Sequence, residues 1–304
     1  MDHEYLYRGL KEMGLLYDPS AAAFYGVSME YSSGFLRKMD WFCALPLELR
    51  RKYGLCISLN GMKFTLAAEN FQKPLDTEAV SAAVCFVLAG CILDNMLDEG
   101  SPGDQASARE KLTWEYCARY FIQFDPVGTD HVVDRLYGEI ASFLRKKKKF
   151  STAVYDCLMV HMRRAVQAET FVPKGPFDPQ SPVFAADKSV LFTVIGFELA
   201  LYGEHTEEEW EAFFLIGDIF RIIDDLCDAE QDMLAGRTNS LLTGRDRGSE
   251  WIGNVLEALR QAMTRLESLV SEPFFAFLRH EVQCWTLSNA CLYQKMLEVP
   301  LCRM

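Results

Sequence analysis

The sequence predicts a single all-α domain, and three observations predict it. Helical periodicity dominates, while strand signals are sparse: no series of short alternating runs is punctuated by Asn-Gly or Asp-Gly turns. Breaker clusters separate the helical blocks, most clearly Gly100–Gly103 (GSPG), Pro173–Pro182 (PKGPFDPQSP) and Ala235–Arg247. No internal repeat is visible and no linker is long enough to divide two cores, so residues 1–304 read as one helical domain.

The elements follow in chain order. Helices are expected over 2–15, 21–37, 46–53 and 60–71. The next, 75–99, carries the apolar run Ala79–Leu93 into a group of acids and is closed by GSPG. Helices 104–123, 129–147 and 151–170 follow, the second ending in the basic block Arg145–Lys149 (RKKKK). Beyond the proline-rich loop come 186–203 and 206–234, the latter running FFLIGDIFRII into a second group of acids. Helices 247–271 and 273–297 complete the set.

Composition narrows the function. Half the residues are apolar and 24% are charged, which is globular rather than disordered. A chain of 304 residues can bury a large core. The net charge of −12 argues against nucleic acid as a partner, since phosphate backbones need a basic surface. RKKKK reads as a solvated helix end, with attraction to lipid headgroups as the minor reading. Ten scattered cysteines without a CxxC pair, and an N-terminus without an apolar signal core, predict a cytoplasmic protein. The five histidines are far apart and suggest no zinc spacing. The run Ala79–Leu93 rises about 22 Å as a helix, short of the roughly 30 Å hydrocarbon core. It is expected to be a buried helix, not an integral membrane segment.

Both acid groups sit where apolar helices end. In DNMLDEG, Asp94 and Asp98 are spaced i,i+4 and share one face. In DDLCDAEQD, Asp224, Asp228 and Asp232 form a stripe at i, i+4 and i+8, with Asp225 beside it. Like charges at this spacing repel, so the clusters call for a compensating cation. Two facing stripes of carboxylates suit a hard, oxygen-loving ion such as magnesium, which bridges to phosphates. Solvated helix ends are the bland alternative for either cluster alone.

At these residues the sequence resembles the class I isoprenoid synthase superfamily: the trans-prenyl diphosphate synthases and the related terpene synthases. Asp94-Asn95-Met96-Leu97-Asp98 is similar to the first motif, DDxxD. Asp224-Asp225-Leu226-Cys227-Asp228, with Asp232 and then Gly236-Arg237, is similar to the second. Asp187-Lys188-Ser189 looks like the family's Lys-Thr helix start. The three elements occur in the family's order at similar separations, over roughly residues 60–240. The resemblance implies a helical bundle around a central cavity, a prenyl diphosphate substrate and three magnesium ions. Asp94, Asp98, Asp224, Asp228 and Asp232 would hold the metal, with Glu99 as an accessory and Asp225 orienting its neighbours. Lys188 and Arg237 would hold diphosphate oxygens, with Arg221 and Arg164 as further candidates. A homodimer is the assembly that the resemblance suggests.

Departures from the pattern separate the family's activities. Chain elongation needs a second cationic pocket, for isopentenyl diphosphate. Here the candidate loop Asn60-Gly61-Met62-Lys63 offers one cation, Val87 stands near the place of a histidine, and only Arg109 follows the first motif. So few cations would hold a second diphosphate poorly. Asn95 in place of the second Asp is a neutral, weaker ligand. The expected enzyme is a terpene synthase acting on a farnesyl or longer diphosphate. Its rivals are a trans-prenyltransferase, a silent partner subunit of a prenyl synthase, and a squalene- or phytoene-synthase-like enzyme. Phe86, Phe192 and Phe220, with Phe213, Trp285 and Tyr293, are candidate pocket linings, although any one aromatic at helical spacing is more often core. The small Ala89 and Gly90 above Asp94 suggest a deep pocket.

Overall fold

The computed structural model describes residues 3–16, 39–125, 131–170, 181–235 and 250–288. Among them the fold is all-α, with twelve helices and no strand. They are α1 (His3–Glu12), α2 (Asp40–Ala44), α3 (Leu47–Asn70), α4 (Thr77–Glu99), α5 (Pro102–Lys111), α6 (Trp114–Phe121), α7 (Val132–Lys147), α8 (Thr152–Glu169), α9 (Ser181–Ala200), α10 (Glu207–Ala235), α11 (Glu250–Leu269) and α12 (Glu272–Ser288).

Several boundaries differ from the sequence expectation; α9, for one, begins at Ser181, within the expected loop Pro173–Pro182 and ahead of the expected start at 186. The helices expected over 46–53 and 60–71 are one helix, α3, because Gly54 and Gly61 are absorbed without a break. The expected helix 104–123 is two, α5 and α6. Thr113 divides them: its hydroxyl accepts from Tyr116 N–H at 3.2 Å and donates to the Glu110 carbonyl at 2.8 Å. The short α2 was not foreseen. The expected helix 21–37 and the stretch 289–297 lie outside the described residues.

Local chemistry fixes the ends of α4. Asp76 caps its start, accepting from Glu78 and Ala79 N–H, and pairs with Lys147 of α7 at 2.7 Å. At its other end GSPG forms a tight corner. A Cβ on Gly100 would lie 2.3 Å from the Met96 carbonyl oxygen, so only glycine fits there. Ser101 and Asp104 then form a capping box with Pro102 at the first helical position. A buried Lys111–Asp134 pair at 2.8 Å, joined by the Tyr116 hydroxyl at 2.6 Å, ties α5 and α6 to α7.

Five helices close a ring in the order α3–α4–α9–α10–α12 and back to α3. α7 covers α4, α8 covers α9, and α11 covers α10. This burial explains why α4, long and apolar enough by composition to cross a membrane, has most of its apolar residues inside the protein. An aromatic cluster fills one end of the ring. Phe197 of α9 stacks on Phe213 of α10 at 4.9 Å, and Phe64 of α3 meets Phe197 edge-on at 5.4 Å.

Candidate functional site

Contacts across the ring give the helices their register. α4 and α9 run antiparallel: Asp94 faces Lys188, and a Cβ on Gly90 would lie 2.3 Å from the Phe192 ring. α9 and α10 also run antiparallel: a Cβ on Gly217 would lie 2.9 Å from the Val190 carbonyl oxygen. Moving one residue at a time along each antiparallel pair puts Asp98 level with residue 184 of α9 and Asp224 level with residue 183. Both acid clusters therefore lie at the same end of the ring, at the same height. α3 presents its N-terminal half at that end, because Tyr53 faces Asn95.

Lys188 is the centre of the described site. Its Nζ lies 3.2 Å from Glu169 Oε2 of α8 and 3.7 Å from Asp94 Oδ1. Burial pulls its pKa down, but Glu169 and Asp94, helped by Asp98, outweigh that and raise it above the ordinary lysine value. The ammonium stays charged at any physiological pH. The Asp94 side chain is 60% exposed, and Asp98 and Asp224 are also exposed, so these carboxylates face solvent at the ring's open end.

Below the Lys188–Asp94 contact the same two helices present an aromatic floor. Phe86 and Phe192 lie 5.0 Å apart, with planes tilted by 34°. Phe86, Gly90, Asp94 and Asp98 form one i,i+4 stripe on α4. The deep-pocket expectation needs correction on this point. The space beside Gly90 is taken by the Phe192 ring, and Ala89 lies off the stripe with 1% of its surface exposed.

Other expected residues are placed elsewhere. The Asn95 amide donates to Tyr53 OH at 3.0 Å and to the Cys91 carbonyl at 2.8 Å, fastening α4 to α3. Burial, with Cys91 nearby, pushes the Tyr53 phenol up to about 12, so it stays protonated. Glu99 reaches Lys52 of α3 at 3.6 Å, away from Lys188. Arg221 pairs with Asp218 at 2.5 Å and with Asp225 at 3.5 Å, which holds both within α10. Arg164 is exposed on α8, and its neighbour Arg163 stands 5.8 Å over the Trp114 ring. Phe220 packs on Trp285 at 5.2 Å, while Phe213 belongs to the aromatic core. Arg237, Tyr293 and the side chains of Asp228 and Asp232 lie outside the described residues.

Asn60–Lys63, the candidate loop of the resemblance, is helical, as the expected helix over 60–71 has it. It is the buried middle of α3, where Lys63 Nζ bonds Glu281 Oε1 of α12 at 3.0 Å and lies 4.9 Å from the Phe220 ring centroid. Val87 is also core, near Gly196 and Phe64, and Arg109 is exposed on α5. Of the candidates for a second cationic pocket, Lys63 is thus paired with Glu281 and Arg109 is exposed.

Sequence reasoning missed Glu169 and Asp218. Asp218 was readable, since Asp218 and Arg221 are spaced i,i+3. Glu169 was not, because its partner Lys188 lies on another helix. It also missed a cluster of Cys157, His161 and Glu198. Its signal was Cys157 and His161 at i,i+4, which corrects the expectation that the histidines offer no His/Cys spacing.

The donor set at the open end is all oxygen: exposed carboxylates at i,i+4 on α4, with Asp224 level on α10. It fits magnesium, a hard cation that keeps several waters and shares carboxylates with phosphate. No protein-family model matches the chain, and no curated protein matches it.

Proposed function

We propose that the chain is a class I terpene synthase, which ionises a linear prenyl diphosphate and releases diphosphate. The observation that carries this reading is the common height of Asp98 and Asp224 just beyond the Lys188–Asp94 contact, with Phe86 and Phe192 directly below. A charged end above an aromatic floor suits a substrate with a diphosphate head and a hydrocarbon tail.

Asp94 and Asp98 from α4, and Asp224 from α10, would hold magnesium, with Asp228 and Asp232 placed by their sequence spacing on the same stripe of α10. Bound there, magnesium supplies neutralisation of the charge that grows on the departing diphosphate. The protein's own part begins with Lys188. Glu169 orients its ammonium toward the acid cluster, and the ammonium donates to a diphosphate oxygen as the carbon–oxygen bond breaks. The bonding pair leaves with diphosphate, and an allylic cation remains on the hydrocarbon. Phe86 and Phe192 offer their ring faces to that cation and exclude water. Loss of a proton, or addition of water with loss of a proton, ends the reaction.

A terpene synthase is favoured over a chain-elongating synthase because Lys63, the best candidate for holding a second diphosphate, is committed to Glu281. The test is incubation of the full chain with geranyl, farnesyl, geranylgeranyl and geranylfarnesyl diphosphates. Each is run with magnesium or chelator, and with or without isopentenyl diphosphate. Magnesium-dependent hydrocarbon or alcohol from one substrate alone is expected. Longer diphosphates formed only with isopentenyl diphosphate would make the chain a prenyltransferase. No release of diphosphate from any substrate would favour a silent subunit.

A further inference from the structure

We propose that Cys157, His161 and Glu198 form a zinc site in the seam between α8 and α9, separate from the carboxylate end of the ring. Cys157 and His161 are one turn apart on α8 and point to the same face. Glu198 comes from α9. One donor atom from each of the three lies within 4.8 Å of the other two. His161 Nδ1 and Glu198 Oε2 already meet at 2.7 Å.

The chemistry of the donors selects the ion. Thiolate, imidazole and carboxylate form a borderline-soft set, which suits zinc and disfavours magnesium. Zinc bonds of about 2.0–2.3 Å in tetrahedral geometry need donors about 3.3–3.8 Å apart. The Cys157, His161 and Glu198 donors, all within 4.8 Å of one another, lie close to that spacing. Three protein donors leave one coordination position for water or another small ligand.

The surroundings fit an ion better than they fit a bare carboxylate. Glu198 is 3% exposed and sits in the apolar stretch VLFTVIGFELA. A carboxylate buried there needs strong compensation, and its described neighbours are a thiol and an imidazole, not a lysine or arginine. The rings of Trp210 and Phe214 flank His161 at 5.5 and 6.2 Å, giving the apolar outer shell common around metal centres. Cys157 and His161 are only half-buried, so an ion has a way in.

The position gives the site a purpose. Glu169–Lys188 and His161–Glu198 are successive contacts of the same antiparallel seam. Eight residues of α8 separate them, about 12 Å along the axis. Zinc at the second contact would clamp α8 to α9 and so hold Glu169 and Lys188 in register.

Cobalt titration of the chelator-stripped full chain tests this without any substrate. One equivalent of Co2+ is expected to give a thiolate charge-transfer band and the visible bands of a tetrahedral ion, both erased by Zn2+. Cys157→Ser should abolish the thiolate band. Glu198→Gln should weaken zinc binding at least tenfold, and Cys43→Ser should change neither. Zinc should raise the Tm of the wild type but not of Cys157→Ser. A band that survives Cys157→Ser, or no thiolate band in the folded wild type, overturns the site. If His161→Ala fails to fold, Cys157→Ser and Glu198→Gln decide alone. Because the readout is metal binding, the zinc site and the terpene synthase reading can fail separately.

Discussion

Replacing Lys63 distinguishes a structural cation from a substrate-binding one. Lys63 and Glu281 are 6% and 2% exposed, and their contact spans 3.0 Å inside the ring. The second Glu281 oxygen, Oε2, is buried without a hydrogen bond, so Lys63 supplies the carboxylate's described compensation. Lys63→Met removes that cation and leaves a buried carboxylate, which should cost about 3–5 kcal/mol. Unfolding entropy of about 2.1 cal/mol/K per residue over 304 residues converts this into a fall in Tm of about 5–8 °C. Lys63→Met/Glu281→Leu removes both charges, and apolar replacement of a buried pair is often neutral or stabilising. The double variant should therefore recover most of the loss. Thermal unfolding followed by circular dichroism, with all variants at one scan rate, measures it. A Tm unchanged in Lys63→Met, together with altered use of isopentenyl diphosphate, would refute the structural assignment and restore a second diphosphate site. A double variant as unstable as the single one would show that the loss comes from packing on Phe220 and not from charge.

The remaining predictions concern the open end and the start of α4. Asp94→Ala and Asp228→Ala should each abolish turnover with helical content intact by circular dichroism; activity retained in both would remove the metal assignment. Lys188→Gln should lower kcat by roughly 10²-fold, the usual cost of one lost donor to a developing anion, in single-turnover assays. Gly90→Ala should be strained by about 1–3 kcal/mol against the Phe192 ring, and the added variant Phe192→Ala should relieve it in denaturant titration. Asp76 titrates below the ordinary carboxylate value: burial works the other way, but Lys147 and the Ala79 and Glu78 N–H groups outweigh it. Its charge therefore stabilises the fold fully above the unfolded carboxyl value of about 3.9, and the benefit is lost as pH falls through the lower folded value. Asp76→Asn should be less stable than wild type near neutral pH and should converge with it in acid unfolding curves.

How much could be read in the sequence depended on how local the deciding interaction was. The i,i+4 stripe of Phe86, Gly90, Asp94 and Asp98 was visible because a helix's own period puts those residues on one face. The apolar run ahead of Asp94 marked α4 as buried for a similar reason. Lys63 was misread because its role was carried over from the family's loop, although 60–71 reads as helix. Its partner Glu281 lies 218 residues further on and could not be read from local spacing. Helix propensity is a weak prior that packing overrides, and Gly54 and Gly61 inside α3 are examples. Gly90 was misread in the same way. A small residue signals space, but only the opposing helix reveals that Phe192 fills it.

The two clusters on α8 and α9 bear on how the open end is held. Lys188 is exposed on α9, where an ammonium on a long stem would ordinarily sample many positions. Glu169 restricts it, and Glu169 is the last residue of α8, where helix ends fray most readily. A clamp at His161 and Glu198 two turns deeper counters that fraying by fixing the register of the whole seam. Lys188 stability and zinc occupancy should therefore be coupled. In hydrogen-exchange measurements on the full chain, zinc should slow exchange of the last turn of α8 in the wild type and leave it unchanged in Cys157→Ser. Equal protection in both proteins would mean that α8 holds its register through packing alone, and that Glu169 positions Lys188 without help from the second cluster.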